Sequence, residues 1–163
     1  MNTSQKGLSL IVSYEGLHDG DLKQTGIQPK MDPVGIWTEG YGRAMKKPNG
    51  SWVKGIADKN YAYAHITIKT EKEAQIALSQ DIKVYETIVA RNIKVPLNQN
   101  QFDALVSYVY NTGGSSTLYK LINTKAKIKD IETWWTTRYI SGQGKVLPGL
   151  IRRRKEEFNL YNS

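Results

Sequence analysis

The order of patterns along the chain predicts an α+β fold: one helix, then a small antiparallel sheet, then helices to the end. Three observations carry that prediction. Leu8, Ile11 and Val12 recur at helical spacing. GIWTEGYGRAMKKPNGSWVKG is rich in β-branched and aromatic residues but cut by glycines. Beyond residue 70, capping patterns open apolar helical faces. At 163 residues the chain is the size of one domain.

The first helix is capped by Ser4 or Thr3 and stops near Gly16. Its apolar stripe would continue at position 15, where the sequence has Glu15. HDGDLKQTGIQPKMDP then reads as loop, and PNG as a turn between two short strand-forming runs. Residues 56–69 fit either a further strand or an irregular connector. Thr70 with Glu73 forms a capping box, so a single long helix is expected from residue 70 to about Arg91. Asn98 with Gln101 repeats the box ahead of an apolar face at Phe102, Leu105, Val106 and Val109, and Gly113-Gly114 ends it. Shorter helices are expected at 116–123, 130–138 and 148–161.

Composition narrows the chemistry. No cysteine is present, so neither a disulfide framework nor a thiol nucleophile is available. His18 and His65 lie far apart, which argues against a histidine zinc site, and no metal or cofactor is expected. The 23 Lys and Arg against 15 Asp and Glu give a formal charge of +8, which favours polyanionic partners. The N-terminal stretch lacks the unbroken apolar region and cleavage site of a signal peptide, and no run is long enough to span a membrane. The expectation is a protein that starts in the cytoplasm.

Glu15 raises the sharpest question. A carboxyl on the core side of a helix loses hydration, which penalises its charged form and suits a general acid. A helix C-terminus also repels a purely structural anion. The plain alternative is a glutamate that turns to solvent or pairs with an arginine. Asp32 and Thr38 flank a sheet-forming turn downstream, and an inverting glycosidase needs a second carboxylate that holds a water.

Glu15-Gly16-Leu17, then Asp32-Pro33-Val34-Gly35-Ile36-Trp37-Thr38, then Gly40-Tyr41-Gly42 resemble the signature of phage-type lysozymes, the endolysins of glycoside hydrolase family 24. LNQNQFDALVSYVYNTGGSSTLYKLIN is similar to that family's central helix and following turn, and KVLPGLIRRRKEEFNLY to its C-terminal helix. The resemblance implies a lysozyme-like fold: a sheet lobe around 16–69, a helical lobe around 92–163 with the N-terminal helix, a long joining helix, and a cleft between lobes. It implies hydrolysis of the β-1,4 bond between N-acetylmuramic acid and N-acetylglucosamine in peptidoglycan. Glu15 would be the general acid, with Asp32 and Thr38 positioning the water. Tyr41 and Asn111 are candidate substrate contacts, each equally well accounted for structurally.

The resemblance further implies a monomer with no nucleic-acid partner and no stable membrane insertion. A separate holin would release it from the host cytoplasm to the cell wall. The rivals are a lytic transglycosylase, which needs a single acid/base, and a wall-binding module that has lost catalysis.

Two departures from the family pattern stand out. Sixteen residues separate Glu15 from Asp32, twice the family spacing, whereas the five between Asp32 and Thr38 are preserved. Residues 18–31 therefore carry an insertion, expected to extend the cleft, and Asp19 and Asp21 are rivals to Asp32. The flanking PVGIWT favours Asp32. Glu39 and Arg43 replace an apolar residue and a histidine. Glu39 is expected to be a solvated edge residue rather than a sugar contact. Of Arg152, Arg153 and Arg154, one or two can face inward, where an arginine paired with Glu15 would favour its charged form. Trp37 is expected in the core, and only one of Trp134 and Trp135 can share its helix's buried face.

Overall fold

A computed structural model describes every residue except Gln143. The chain divides into two compact units: Glu15–Asp81, and Met1–Tyr14 together with Ile82–Ser163.

The Glu15–Asp81 unit is built on three short antiparallel strands in the order β1 (Lys30–Met31), β2 (Trp37–Glu39) and β3 (Arg43–Ala44). Lys30 pairs with Thr38 and Met31 with Trp37; on the other edge Thr38 pairs with Ala44. The PNG turn forms as expected, closed by Lys47 N–H donating to Ser51 O at 2.8 Å. Trp37 is a core residue, packed with Met45, Val53 and Ala62, and its indole N–H donates to Gly55 O at 2.8 Å.

Residues 56–69 are neither strand nor wholly irregular. A 3₁₀ turn at Ile56–Asp58 runs into helix α2 (Lys59–Ala64). Ala62 of α2 is buried in the Trp37 cluster, and Tyr61 and Tyr63 on either side of it are partly buried against that cluster.

The long helix expected from residue 70 is two helices, α3 (Glu71–Asp81) and α4 (Lys83–Asn92). The Thr70–Glu73 box forms at the start of α3: Glu73 N–H donates to Thr70 Oγ1, and Thr70 N–H to Glu73 Oε2. The ladder breaks at Ile82, whose carbonyl accepts from both Tyr85 and Glu86. Ile82 keeps right-handed helical angles and is fully buried, so a local tightening rather than a glycine or proline marks the break.

In the other unit, helix α1 (Gln5–Glu15) follows Ser4, whose hydroxyl oxygen accepts the Gly7 N–H at 3.4 Å, as the sequence leads one to expect. Buried Asp103 accepts the Ser4 backbone N–H at 2.9 Å and also the Ser4 hydroxyl. Helix α5 (Gln99–Thr112) begins with the Asn98–Gln101 capping box and ends at Gly113 in the left-handed region, φ 80°. Every residue from Phe102 to Val109 is buried, which makes α5 the core of this unit.

Helices α4 and α8 (Pro148–Tyr161) pack on α5, α7 (Ile128–Thr137) packs on α8, and α6 (Ser116–Asn123) on α7. A two-stranded ribbon, β4 (Ser141–Gly142) with β5 (Lys145–Val146), lies between α7 and α8 in sequence. No periodicity long enough to predict this ribbon exists in the chain. Trp135 is the buried member of its pair, with Tyr108 5.3 Å and Tyr161 5.2 Å away.

Candidate functional site

Glu15, Asp32 and Thr38 all belong to the Glu15–Asp81 unit. Glu15 is the last residue of α1 and is half-buried, so it continues the stripe without entering the core. The turn of α1 that fills the interior is set by Gly7 and Ile11 instead.

Asp32 sits at the top of the β1–β2 hairpin. Its Oδ1 accepts the backbone N–H groups of Val34 (2.9 Å) and Ile36 (2.8 Å), while Asp32 N–H donates to Ile36 O. One carboxylate oxygen therefore shapes the loop, as aspartates commonly do in turns, and Oδ2 is left out of that bonding. Thr38 lies on β2, opposite Lys30, and is buried. Its hydroxyl donates to Lys30 O at 2.9 Å.

The rivals of Asp32 hold the inserted loop together. Asp19 Oδ1 accepts from Asp21 N and Gln28 N, both at 3.2 Å. Asp21 accepts from Lys23 N through Oδ1 and from the Gln24 side chain through Oδ2. Gly20 N–H to Gln28 O and Ile27 N–H to Lys69 O close the loop further.

His18 of the same loop is half-buried, with Nδ1 2.7 Å from Thr38 Oγ1. Its backbone N–H donates to Gly40 O at 2.7 Å, a bridge onto the end of β2. Gly42, at φ 87°, lies against the imidazole: a Cβ there would meet His18 Cε1 at 3.6 Å. Burial, reinforced by the Lys30 charge, lowers the His18 pKa from 6.5, against the opposing charges of Glu15 and Asp32. The only sequence signal for this role is the position of His18 two residues after Gly16; its partner is twenty residues away.

Two expectations near the motif are corrected. Glu39 is neither solvated nor at a surface. It is buried and accepts from Thr67 N (2.9 Å), Thr67 Oγ1 (2.5 Å) and Ile68 N (3.0 Å), so it anchors the segment leading into α3. Alternation failed because all three residues of β2 are buried. Tyr41 is a core residue as well, with its hydroxyl donating to Glu71 at 3.3 Å, and it presents no open ring face for a sugar. Its phenol pKa is raised by burial and by the Glu71 carboxylate. Arg43 binds Asp81 through Nε and Nη2, both at 2.9 Å, and donates to Ala77 O, which caps the C-terminus of α3.

Asn111 is in the helical unit, exposed at the end of α5, and its Oδ1 accepts from Arg154 Nη2 at 2.9 Å. Arg153 and Arg154 both turn inward, as helical spacing allows, while Arg152 stays exposed. Buried Glu157 takes both guanidiniums and also accepts from Ser107 and Trp135. Trp134, the other tryptophan of the pair, lines an open pocket with Arg138, Tyr139 and Ser116 in the same unit. Among the described residues no His, Asp and Glu cluster is arranged to hold a metal, and no helix is long and apolar enough to cross a membrane.

Comparison with known proteins places this geometry. The sequence profile of the phage lysozyme family matches residues 22–157. The chain belongs to the phage lysozyme family. The matched span includes Asp32 and Thr38 and begins just downstream of Glu15. The endolysin of Acyrthosiphon pisum secondary endosymbiont phage 1 is 32% identical, with 100% of this chain and 99% of that protein aligned. The endolysin of Bacillus phage PZA is 31% identical across the whole chain, but the chain spans only 56% of that protein. Among solved structures, the muramidase domain of SpmX from Asticaccaulis excentricus superposes with a TM-score of 0.70 at 30% identity, over 99% of this chain and 98% of that one. Family membership makes the chain a lysozyme-type hydrolase with the α+β lysozyme-like fold.

Proposed function

We propose that the enzyme cleaves the β-1,4 bond between N-acetylmuramic acid and N-acetylglucosamine in peptidoglycan, with inversion. Glu15 is the general acid: its carboxyl proton passes to the leaving glycosidic oxygen as the C1–O bond breaks. A water attacks C1 from the opposite face and gives one proton to Asp32. Thr38 holds the same water through its hydroxyl oxygen. Proton exchange with solvent then returns Glu15 to its acid form and Asp32 to its carboxylate. The chemistry needs no metal or cofactor.

The observation that carries this reading is the β1–β2 hairpin. Its register puts Asp32 in the turn and Thr38 on the strand, and backbone bonds fix both: Asp32 Oδ1 to Val34 and Ile36, Thr38 Oγ1 to Lys30. Asp32 keeps a carboxylate oxygen outside the turn, whereas both oxygens of Asp21 are engaged in the loop. Release to the wall through a holin, from a cytoplasmic pool of monomer, completes the proposal as a lysis enzyme.

Turnover of purified peptidoglycan by Glu15→Gln, Asp32→Asn and Asp19→Asn variants tests the assignment. The first two should lose at least about 100-fold in kcat while melting like the parent, since each removes a proton-transfer group. Asp19→Asn should retain activity. An active Asp32→Asn variant would instead support a single-acid transglycosylase.

A further inference from the structure

We propose that His18 is a positioning residue for the water-binding hydroxyl: His18 Nδ1–H donates to Thr38 Oγ1 and commits the single Thr38 proton to the Lys30 carbonyl. This rests on the reading of Thr38 given above. It adds a residue from the inserted loop to the machinery of the β1–β2 hairpin.

The argument is a count of protons. A threonine hydroxyl has one proton and two lone pairs. Two partners lie within hydrogen-bonding distance of Thr38 Oγ1: Lys30 O at 2.9 Å and His18 Nδ1 at 2.7 Å. The carbonyl can only accept, so the Thr38 proton points to it. Nδ1 must then be the donor, because an unprotonated Nδ1 would send the Thr38 proton to the ring and leave two oxygens facing each other at 2.9 Å. With one lone pair taken by His18, Oγ1 keeps one for a water proton. The hydroxyl rotor is locked, and Thr38 becomes a fixed acceptor.

The surroundings hold the imidazole in that role. The His18 backbone is tied to Gly40 O, and the ring packs against the strand turn at Gly42. The charged groups acting on the ring are Lys30 on β1, Glu15 at the end of α1 and Asp32 in the hairpin. Burial and Lys30 favour the neutral ring, so Nδ1 carries the one proton and Nε2 is an acceptor.

The test compares kcat and KM on soluble peptidoglycan fragments for His18→Ala, His18→Gln, His18→Asn and Thr38→Ala. The amide nitrogen of asparagine occupies the place of Nδ1, whereas that of glutamine reaches toward Nε2. His18→Ala and His18→Gln should lower kcat about 10- to 100-fold with little change in KM, the loss expected when a reacting group is misplaced. His18→Asn should restore most of it. Wild-type kcat in His18→Ala alongside an inactive Thr38→Ala would overturn the role of His18 alone, as would a His18→Asn no better than His18→Ala. Wild-type kcat in Thr38→Ala would overturn the Thr38 reading itself, and the proposal with it. Nitrogen NMR of the wild-type imidazole needs no variant to fold: a proton on Nδ1 is expected, and a neutral ring protonated on Nε2 would contradict the proposal.

Discussion

Glu15 and Glu157 show how differently one residue type can be placed in the same chain. Glu15 ends a helix half-buried, within reach of solvent. Glu157 is wholly inside, held by Arg153 Nε at 3.1 Å and Arg154 Nε at 2.9 Å. Removing its charge leaves two buried guanidiniums without their shared partner. Glu157→Gln should therefore destabilise the fold by about 3–5 kcal/mol, read by urea unfolding. His18 makes a further prediction at this scale. Its folded pKa lies below the unfolded value of 6.5, so the unfolded chain binds a proton more readily in the window just under that pH. Its contribution to stability is present above 6.5 and lost as pH falls through the folded value. His18→Asn should flatten that part of the stability–pH curve, and an unchanged slope would assign it to other groups. The histidine's place was not legible in the sequence because its partner Thr38 is fixed by strand pairing. Glu39 was misread for the same reason: its ligands, Thr67 and Ile68, come from beyond the sheet.

At the scale of elements, local chemistry was legible wherever a terminus carried its own cap. Helix α6 starts after Ser115, whose hydroxyl takes the Leu118 N–H, and α8 starts at Pro148; both match their expected ranges. Helix α5 has the Asn98 box and the Gly113 stop. Asn98→Ala should cost about 1 kcal/mol, lowering Tm by about 2–4 °C for a domain of this size, with kcat untouched. The division between α3 and α4 left no such mark. Ile82 is a helix-compatible residue in helical conformation, and the break depends on what buries it, so pattern alone continued the helix through it. The ribbon of β4 and β5 is two residues per strand, shorter than any alternation that a sequence can display.

For the whole molecule, family and fold were legible because the motif segments keep their order through most of the chain, and the profile match over residues 22–157 agrees. The added length of residues 18–31 was legible, but the contact of His18 with Thr38 was not. The net charge of +8 acts at this scale too. Attraction to an anionic envelope is screened as the Debye length shrinks from about 10 Å at 0.1 M salt to about 3 Å at 1 M. Lysis of whole cell walls should therefore fall steeply across that range, while turnover of short soluble peptidoglycan fragments, which carry few charges, changes much less; equal salt sensitivity for both would show that attraction to the envelope is not the cause.

The most direct test of the central claim is the chemistry of the product ends. Purified peptidoglycan is digested in ¹⁸O-labelled water, and the released muropeptides are analysed by mass spectrometry, with Glu15→Gln as control. Hydrolysis predicts reducing N-acetylmuramic acid ends that each carry one ¹⁸O, absent from the control. Anhydro-muramic ends without label would contradict the account, because water would then have no part in the step that Asp32 and Thr38 are proposed to serve.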